Sequence, residues 1–137
     1  MNAVNVYRRQ HGEIQAAIGA LSNLLRAQDA VSRTFDIRVV LNELSSKVSD
    51  HLTLEGRVLY PKLREHEDAR VRVAAAELQD ELNGLHTVCD HYFKAWSNVT
   101  SIAARFPTFR AETRAVLARL EERMKREDEA LGPVLEQ

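Results

Sequence analysis

Apolar side chains recur along this chain at alternating spacings of three and four residues, which is the period of an α-helix with one buried face. Four such stripes can be traced, with polar or proline-containing stretches between them. In chain order the stripes consist of Val4, Tyr7, His11, Ile14, Ile18, Leu21 and Leu25; Ile37, Leu41, Leu44, Val48, His51, Glu55 and Val58; Ala75, Leu78, Leu82, Leu85, Cys89, Tyr92 and Trp96; and Phe109, Thr113, Val116, Leu120, Arg123, Glu127, Leu131 and Val134. The pattern predicts four amphipathic helices of roughly 25 to 35 residues, which pack most simply as an all-α, antiparallel up-down-up-down four-helix bundle.

The residues between the stripes indicate where the helices begin and end. Thr34 follows a polar break and is expected to cap the second helix. The third helix is expected to run from near Asp68 past Trp96. Pro107 is expected to stop the helix before it, and Thr108 to begin the fourth. Because the chain contains only five Gly and three Pro, little else in it interrupts a helix.

Length and composition limit the class of protein. A chain of 137 residues suits one domain, so we expect residues 1–137 to share a single core. Lys and Arg number 19 against 20 Asp and Glu, and the two signs are interspersed, so charge predicts no nucleic-acid partner and no anionic membrane surface. The single Cys89 cannot form an internal disulfide, and the first residues contain no apolar targeting segment. We therefore expect a cytoplasmic protein without a membrane-spanning helix.

Polar side chains interrupt every one of the four apolar stripes. They are His11, His51, Glu55, His86, Arg123 and Glu127, with His86 directly beside its stripe. Burying an unpaired polar group costs on the order of 1–3 kcal/mol, and a charge costs more, so these groups must pair with one another or with a bound ion. With antiparallel packing they can meet in one layer of the bundle. His51 and Glu55 are spaced i, i+4, which places them on one helix face and close enough to hold one ion.

These side chains have a metal-binding interpretation and an ordinary one. Histidine nitrogen with carboxylate oxygen is a ligand set suited to iron, manganese or zinc, and carboxylates from two helices can bridge two ions. Alternatively, each histidine is a hydrogen-bonded core residue, and Arg123 with Glu127 is a plain i, i+4 ion pair. His66 and His91 are expected on the surface, and Cys89 in the core. Because no Gly-rich phosphate loop, nucleophile elbow or paired CxxC occurs, the common nucleotide-binding, hydrolase and zinc-ribbon classes are excluded.

The ordered set of polar residues resembles the hemerythrin-like, or HHE cation-binding, domains over nearly the whole chain. The resemblance rests on a His on helix one, HxxxE followed by LYP on helix two, a His on helix three, and a second HxxxE-like element followed by Pro on helix four. In that family the pattern builds a non-heme di-iron centre. The resemblance implies that His11 and His51 are terminal ligands of one iron. It further implies that Glu55 and Glu127 bridge the two metals and that His86 binds the other iron.

The chain departs from the family pattern at Arg123, which stands where the family has its last histidine. A guanidinium stays protonated and has no lone pair to offer a metal. Either fewer protein groups hold the second metal, with Asp90 as a substitute, or Arg123 fills that half of the site and pairs with Glu55 or Glu127. We favour the second outcome, which leaves a mononuclear or weakened centre, because a cation beside the carboxylates would repel a second metal.

Three functions are compatible with these residues. The resemblance implies binding or sensing of a small ligand, dioxygen, nitric oxide or peroxide, at an iron with an open coordination position. The alternative, from a different class, is a metal-free bundle with a degenerate site that acts as a protein-interaction or regulatory module. A zinc or manganese structural site, colourless and redox-silent, is the third. Metal analysis together with the visible spectrum under air separates the three.

Overall fold

The computed structural model describes residues 3–135 of the chain, apart from the side chains of Pro133 and Leu135. Helices account for every regular element in this range. The α-helices are α1 (Ala3–Arg26), α2 (Thr34–Leu54), α3 (Tyr60–Leu63), α4 (Ala69–Ala95), α5 (Val99–Ala104) and α6 (Phe106–Leu135), with a 3₁₀ turn at Ala30–Arg33 and a π-helical turn at Glu55–Leu59. None of the helices in the described range is both long and apolar enough to cross a membrane.

The four long helices form the predicted all-α bundle. Helix α1 packs against α2 and α6, and α4 packs against the same two helices, so each long helix has two long neighbours. Short connections join consecutive members, and they therefore run antiparallel. Each helix turns its apolar stripe inward, which confirms the fold class that the sequence pattern predicts.

The apolar interior consists of two clusters. The larger cluster includes Ile14, Leu44, Leu85 and Met124, and it extends to the end of the bundle where α5 packs. The smaller cluster includes Leu59, Leu63, Leu78 and Leu131, towards the opposite end. Along α1 and α6, the sequence passes from one cluster to the other through a buried polar residue, His11 on α1 and Glu127 on α6. A polar layer therefore separates the two clusters.

Helix starts differ in part from those that the sequence predicts. Asp68 caps α4 as expected, since its side chain accepts a hydrogen bond from the Arg70 backbone N–H at 2.9 Å. The prediction that Thr34 caps α2 is wrong, because the 3₁₀ turn before it makes Thr34 the first residue of the helix. Thr108 likewise lies inside α6, which begins at Phe106. A proline is tolerated in the first turn of a helix, where its missing N–H has no acceptor to lose.

The π-helical turn after α2 changes which side chains face the core. The Tyr60 N–H donates to the Glu55 carbonyl, five residues earlier, which adds one residue to the turn compared with an α-helix. As a result, Leu59 is buried and Val58 is 47% exposed, so the prediction that Val58 continues the buried stripe is wrong. The wide turn lies directly before Pro61, whose ring would collide with the carbonyl of residue 57 in a regular helix.

Candidate metal centre

Four side chains with metal-binding atoms meet in the polar layer. His11 comes from α1, His51 from the last turn of α2, Glu55 from the start of the π-helical turn, and Glu127 from α6. One ligand atom of each lies within 4.8 Å of all the others. All four residues are buried, and both carboxyl groups are fully enclosed. All four are among the metal ligands predicted from the sequence, and the structure brings them together.

The imidazoles point the same nitrogen at the centre of the group. His11 Nε2 lies 3.1 Å from His51 Nε2 and 2.9 Å from Glu127 Oε1. His51 Nε2 lies 3.3 Å from Glu55 Oε2 and 3.4 Å from Glu127 Oε1. The four ligand atoms therefore converge on one point from α1, from α6, and from α2 with the π-helical turn that follows it.

The other nitrogen of each imidazole faces a polar neighbour outside the group. His51 Nδ1 is 3.0 Å from Gln10 Oε1, which can accept its hydrogen. His11 Nδ1 is 3.1 Å from Asp128 Oδ1, close enough for an ion contact, although Nδ1 makes no hydrogen bond. The Tyr7 hydroxyl donates to the same Asp128 oxygen at 3.1 Å, and its ring packs against both imidazoles. These contacts favour tautomers that leave both Nε2 lone pairs directed inward.

The two carboxylates share a single hydroxyl. Tyr60 Oη is 2.8 Å from Glu55 Oε2 and 2.6 Å from Glu127 Oε2, so its hydrogen is placed between two acceptors. Burial raises the pKa of Tyr60 far above its ordinary value, and the negative carboxylates raise it further. The phenol therefore stays protonated and acts as a donor. The other oxygen of Glu55, Oε1, is buried without a hydrogen-bond partner.

Arg123 lies on the side of this group that faces α4. Its Nε donates to Glu127 Oε2 at 3.0 Å, and its Nη2 donates to the Tyr60 hydroxyl and to the Leu78 carbonyl, both at 2.8 Å. Burial favours the neutral guanidine, but Tyr60 and the carboxylates outweigh burial and raise the pKa of Arg123. A buried positive charge therefore stands beside Glu127, as in the second of the two arrangements that the sequence leaves open.

Burial and the contacts among the titrating groups shift their pKa values in different directions. Burial raises the pKa of Glu55, and the neighbouring Glu127 raises it further. Burial also opposes ionisation of Glu127, but Glu55 and the two histidines outweigh it and lower the pKa of Glu127 well below its ordinary value. Burial lowers the pKa of His51, yet the two carboxylates overcome this effect and raise it to about 9. In the metal-free protein, a proton on His51 thus occupies the space between the ligand atoms.

His86 and Asp90 lie apart from this group. Both are exposed on α4, and Asp90 pairs with Lys94 at 2.9 Å. His86 lines a cavity of about 100 Å³ at the surface between α2 and α4. Leu78, whose carbonyl binds Arg123, marks the level of the site on α4, and His86 comes two turns later, about 12 Å along the axis. Helix α4 thus brings Leu78 and not an imidazole to the polar layer.

Sequence reasoning did not assign roles to several residues around the site. Gln10 and Asp128 are neighbours of ligand residues in the sequence, and Tyr60 belongs to the LYP motif that follows HxxxE. Tyr60 follows Glu55 by five residues, an interval that points to opposite faces in a regular helix. The π-helical turn brings the two side chains together. The signal for that turn is Pro61, which disfavours a regular helix at this point.

The donor set of this group fits a metal ion. Two imidazole nitrogens 3.1 Å apart repel each other unless a proton or a cation lies between them. The inward lone pairs of both histidines would gain a partner from an ion at the point where the ligand atoms converge, and among the described residues Glu55 Oε1 has no hydrogen-bond partner that such an ion would disturb. The outward contact of His51 with Gln10 is the usual support of a metal-bound histidine.

Comparison with known proteins places the chain in a family. No curated protein and no solved structure matches it. The family model described as the hemerythrin HHE cation-binding domain matches residues 2–135, which includes all four residues of the cluster. The chain therefore belongs to the hemerythrin HHE cation-binding domain family.

Proposed function

We propose that the protein binds iron at His11, His51, Glu55 and Glu127 and uses it to bind or sense a small ligand, namely dioxygen, nitric oxide or peroxide. The observation that carries the proposal is the convergence of four ligand atoms, all within 4.8 Å of one another, inside a buried layer. Family membership supports cation binding in general. Two nitrogens and two carboxylate oxygens suit iron, and also manganese or zinc.

The chain would prepare this site in three ways. Gln10 fixes the orientation of the His51 imidazole, so that its Nε2 lone pair already points at the metal position. The ring of Tyr7 and the two apolar clusters keep water away from the ligand atoms. Tyr60 holds the two carboxylates at a fixed separation. When bound, iron would supply the redox chemistry and an open coordination position for the small ligand.

The proposal is tested by metal analysis of protein produced without added metal. The wild-type chain is expected to carry iron and to change its visible spectrum when the reduced protein is exposed to air or nitric oxide. His51→Ala is expected to lose the metal, because it removes a central ligand that contacts both carboxylates. His86→Ala is the matched control, since that exposed histidine lies outside the cluster, and it is expected to keep the wild-type metal content.

Three outcomes would contradict the iron proposal. A colourless protein with stoichiometric zinc or manganese would indicate a structural site. Loss of metal in His86→Ala would show that the ligand set is wrong. Protein without any metal, even after reconstitution under anaerobic conditions with ferrous iron, would favour the metal-free module.

The metal-free module is a second candidate because the carboxylates already have partners. Arg123 and Tyr60 together satisfy both Oε2 atoms without an ion. A bundle of this kind would act through its surface, as a protein-interaction or regulatory element. It predicts that a chelator leaves the melting temperature unchanged and that His51→Ala retains function.

A further inference from the structure

We infer that the Arg123 guanidinium permanently occupies the position of a second cation, so that the centre takes one metal ion and not two. This inference rests on the proposed function and specifies the number of ions at that same site. It follows from the way in which Glu127 divides its two oxygens between the cluster and the guanidinium, and from the contacts of Tyr60 and Arg123.

Glu127 faces a different partner with each of its two oxygens. Oε1 lies 2.9 Å from His11 Nε2, on the side where the four ligand atoms converge. Oε2 accepts from Arg123 Nε at 3.0 Å and from Tyr60 Oη at 2.6 Å. A carboxylate that bridges two metals uses one oxygen for each of them. Here the second oxygen binds a guanidinium and a phenol.

Tyr60 connects the second carboxylate to the same cation. Its hydroxyl donates towards Glu55 Oε2 and Glu127 Oε2 and accepts from Arg123 Nη2 at 2.8 Å. An ion placed beside Glu127 Oε2 would have to displace this hydroxyl and the guanidinium together. Both residues are buried, and Arg123 is only 6% exposed, so displacing them would break hydrogen bonds that water does not readily replace.

Helix α4 holds the guanidinium in this position. The Leu78 carbonyl accepts from Nη2 at 2.8 Å, and Glu81 Oε2 lies 3.8 Å from Nη1. Glu81 is itself paired with Arg126 through both of its oxygens. Nε and Nη2 of Arg123 thus both have acceptors, and their hydrogens are not directed at the point where the ligand atoms converge.

Charge and ligands both oppose a second ion. A divalent cation beside Glu127 Oε2 would lie within a few ångströms of a guanidinium that cannot lose its proton, and the buried surroundings screen this repulsion weakly. Among the described residues, the one cluster of possible ligands contains two histidines, and both already point at the first position. A second ion would have no imidazole.

The experiment counts metal ions in wild type, Arg123→His and Arg123→Lys after anaerobic reconstitution with excess ferrous iron and gel filtration. Wild type is expected to hold one ion per chain. Arg123→His replaces the cation with a neutral nitrogen ligand and is expected to hold two. Arg123→Lys keeps a positive charge without a ligand atom and is expected to hold one. After oxidation, the paramagnetic resonance of an isolated ferric ion should be present in wild type and reduced by magnetic coupling in Arg123→His.

The outcomes separate the inference from the proposed function. Two ions in wild type would overturn the inference and leave the iron-binding proposal standing. No ion in wild type would refute the iron-binding proposal, and the inference with it. A folded Arg123→His that still holds one ion would show that the guanidinium is not what excludes the second. Should that variant fail to fold by circular dichroism, the counts in wild type and Arg123→Lys still decide, since two ions in either overturns the inference.

Discussion

At the scale of single residues, the Tyr60 hydroxyl is the atom on which the polar layer depends most. It contacts both carboxylates and the guanidinium, at distances of 2.6 to 2.8 Å. Hydrogen bonds to charged groups contribute more than neutral ones, and a buried charge left without a partner costs more still. Tyr60 lies next to Leu59 in the smaller apolar cluster, so a loss here would not be compensated by water.

Tyr60→Phe is expected to lower the free energy of unfolding of the metal-free protein by about 2 to 3 kcal/mol, because it leaves the two Oε2 atoms and Arg123 short of a buried partner. Urea denaturation in the presence of a chelator measures the change. Tyr92→Phe is the matched control, since its buried hydroxyl bonds to the neutral Thr113 hydroxyl and not to a charged group in the described part of the chain, and it is expected to cost about 1 kcal/mol. Equal losses in the two variants would show that the shared Tyr60 hydroxyl contributes no more to the free energy of unfolding than the Tyr92 hydroxyl does.

At the scale of elements, the π-helical turn itself packs closely against α4. Gly56 lies in this turn, and a Cβ added to it would be 3.1 Å from Leu82 Cδ2 on α4. The turn therefore places Glu55 in the layer and brings the backbone after it against α4. Gly84, further along α4, has no such neighbour, since a Cβ there would meet nothing within 4 Å.

The two glycines predict opposite responses to alanine. Gly84→Ala is expected to raise the free energy of unfolding by about 0.5 to 1 kcal/mol, because alanine restricts the unfolded chain and favours a helix interior. Gly56→Ala is expected to gain less than this or to lose stability, because Leu82 must move to admit the new methyl group. Thermal denaturation of the two variants side by side gives the comparison. An equal gain at both positions would mean that the π-helical turn and α4 do not depend on close contact at Gly56.

At the scale of the whole molecule, the helices and most of the site can be predicted from sequence periodicity. The position of α4 along the bundle axis cannot. The three-and-four spacing places His11, His51 and Glu127 on inward faces, and burial without a partner forces them to meet. The level of His86 depends on how α4 slides against its neighbours, which side-chain packing such as the Leu82 contact decides. The three-and-four spacing likewise misses the π-helical turn, since it predicts Val58 in the core, and Pro61 is the local signal for that turn.

The polar layer lies between two apolar clusters, so an ion in it would connect α1, α2 and α6 across the middle of the bundle. Metal bound only by the folded chain raises its stability by mass action, by about 2.7 kcal/mol when the free ion is at 100 times its dissociation constant. In the metal-free protein the carboxylates raise the pKa of His51 to about 9 against the opposing effect of burial. Protonated His51 therefore stabilises the metal-free fold below about pH 6.5, and this contribution is lost as the pH rises through about 9.

The stability that bound iron adds is thus expected to grow as the pH rises. A metal requires neutral His51, so binding displaces its proton. This proton alone should raise the affinity about tenfold, or about 1.4 kcal/mol, per pH unit below about pH 9, and the raised pKa of Glu55 adds to the rise. The difference in melting temperature between iron-loaded and chelator-treated protein should therefore widen by roughly 4 °C per pH unit between about pH 6 and 8.5. Anaerobic calorimetry at fixed metal concentration measures it, with His51→Ala as the variant that should show no difference at any pH. A constant difference would mean that no proton leaves His51 when the ion binds, and that the imidazole is not a ligand.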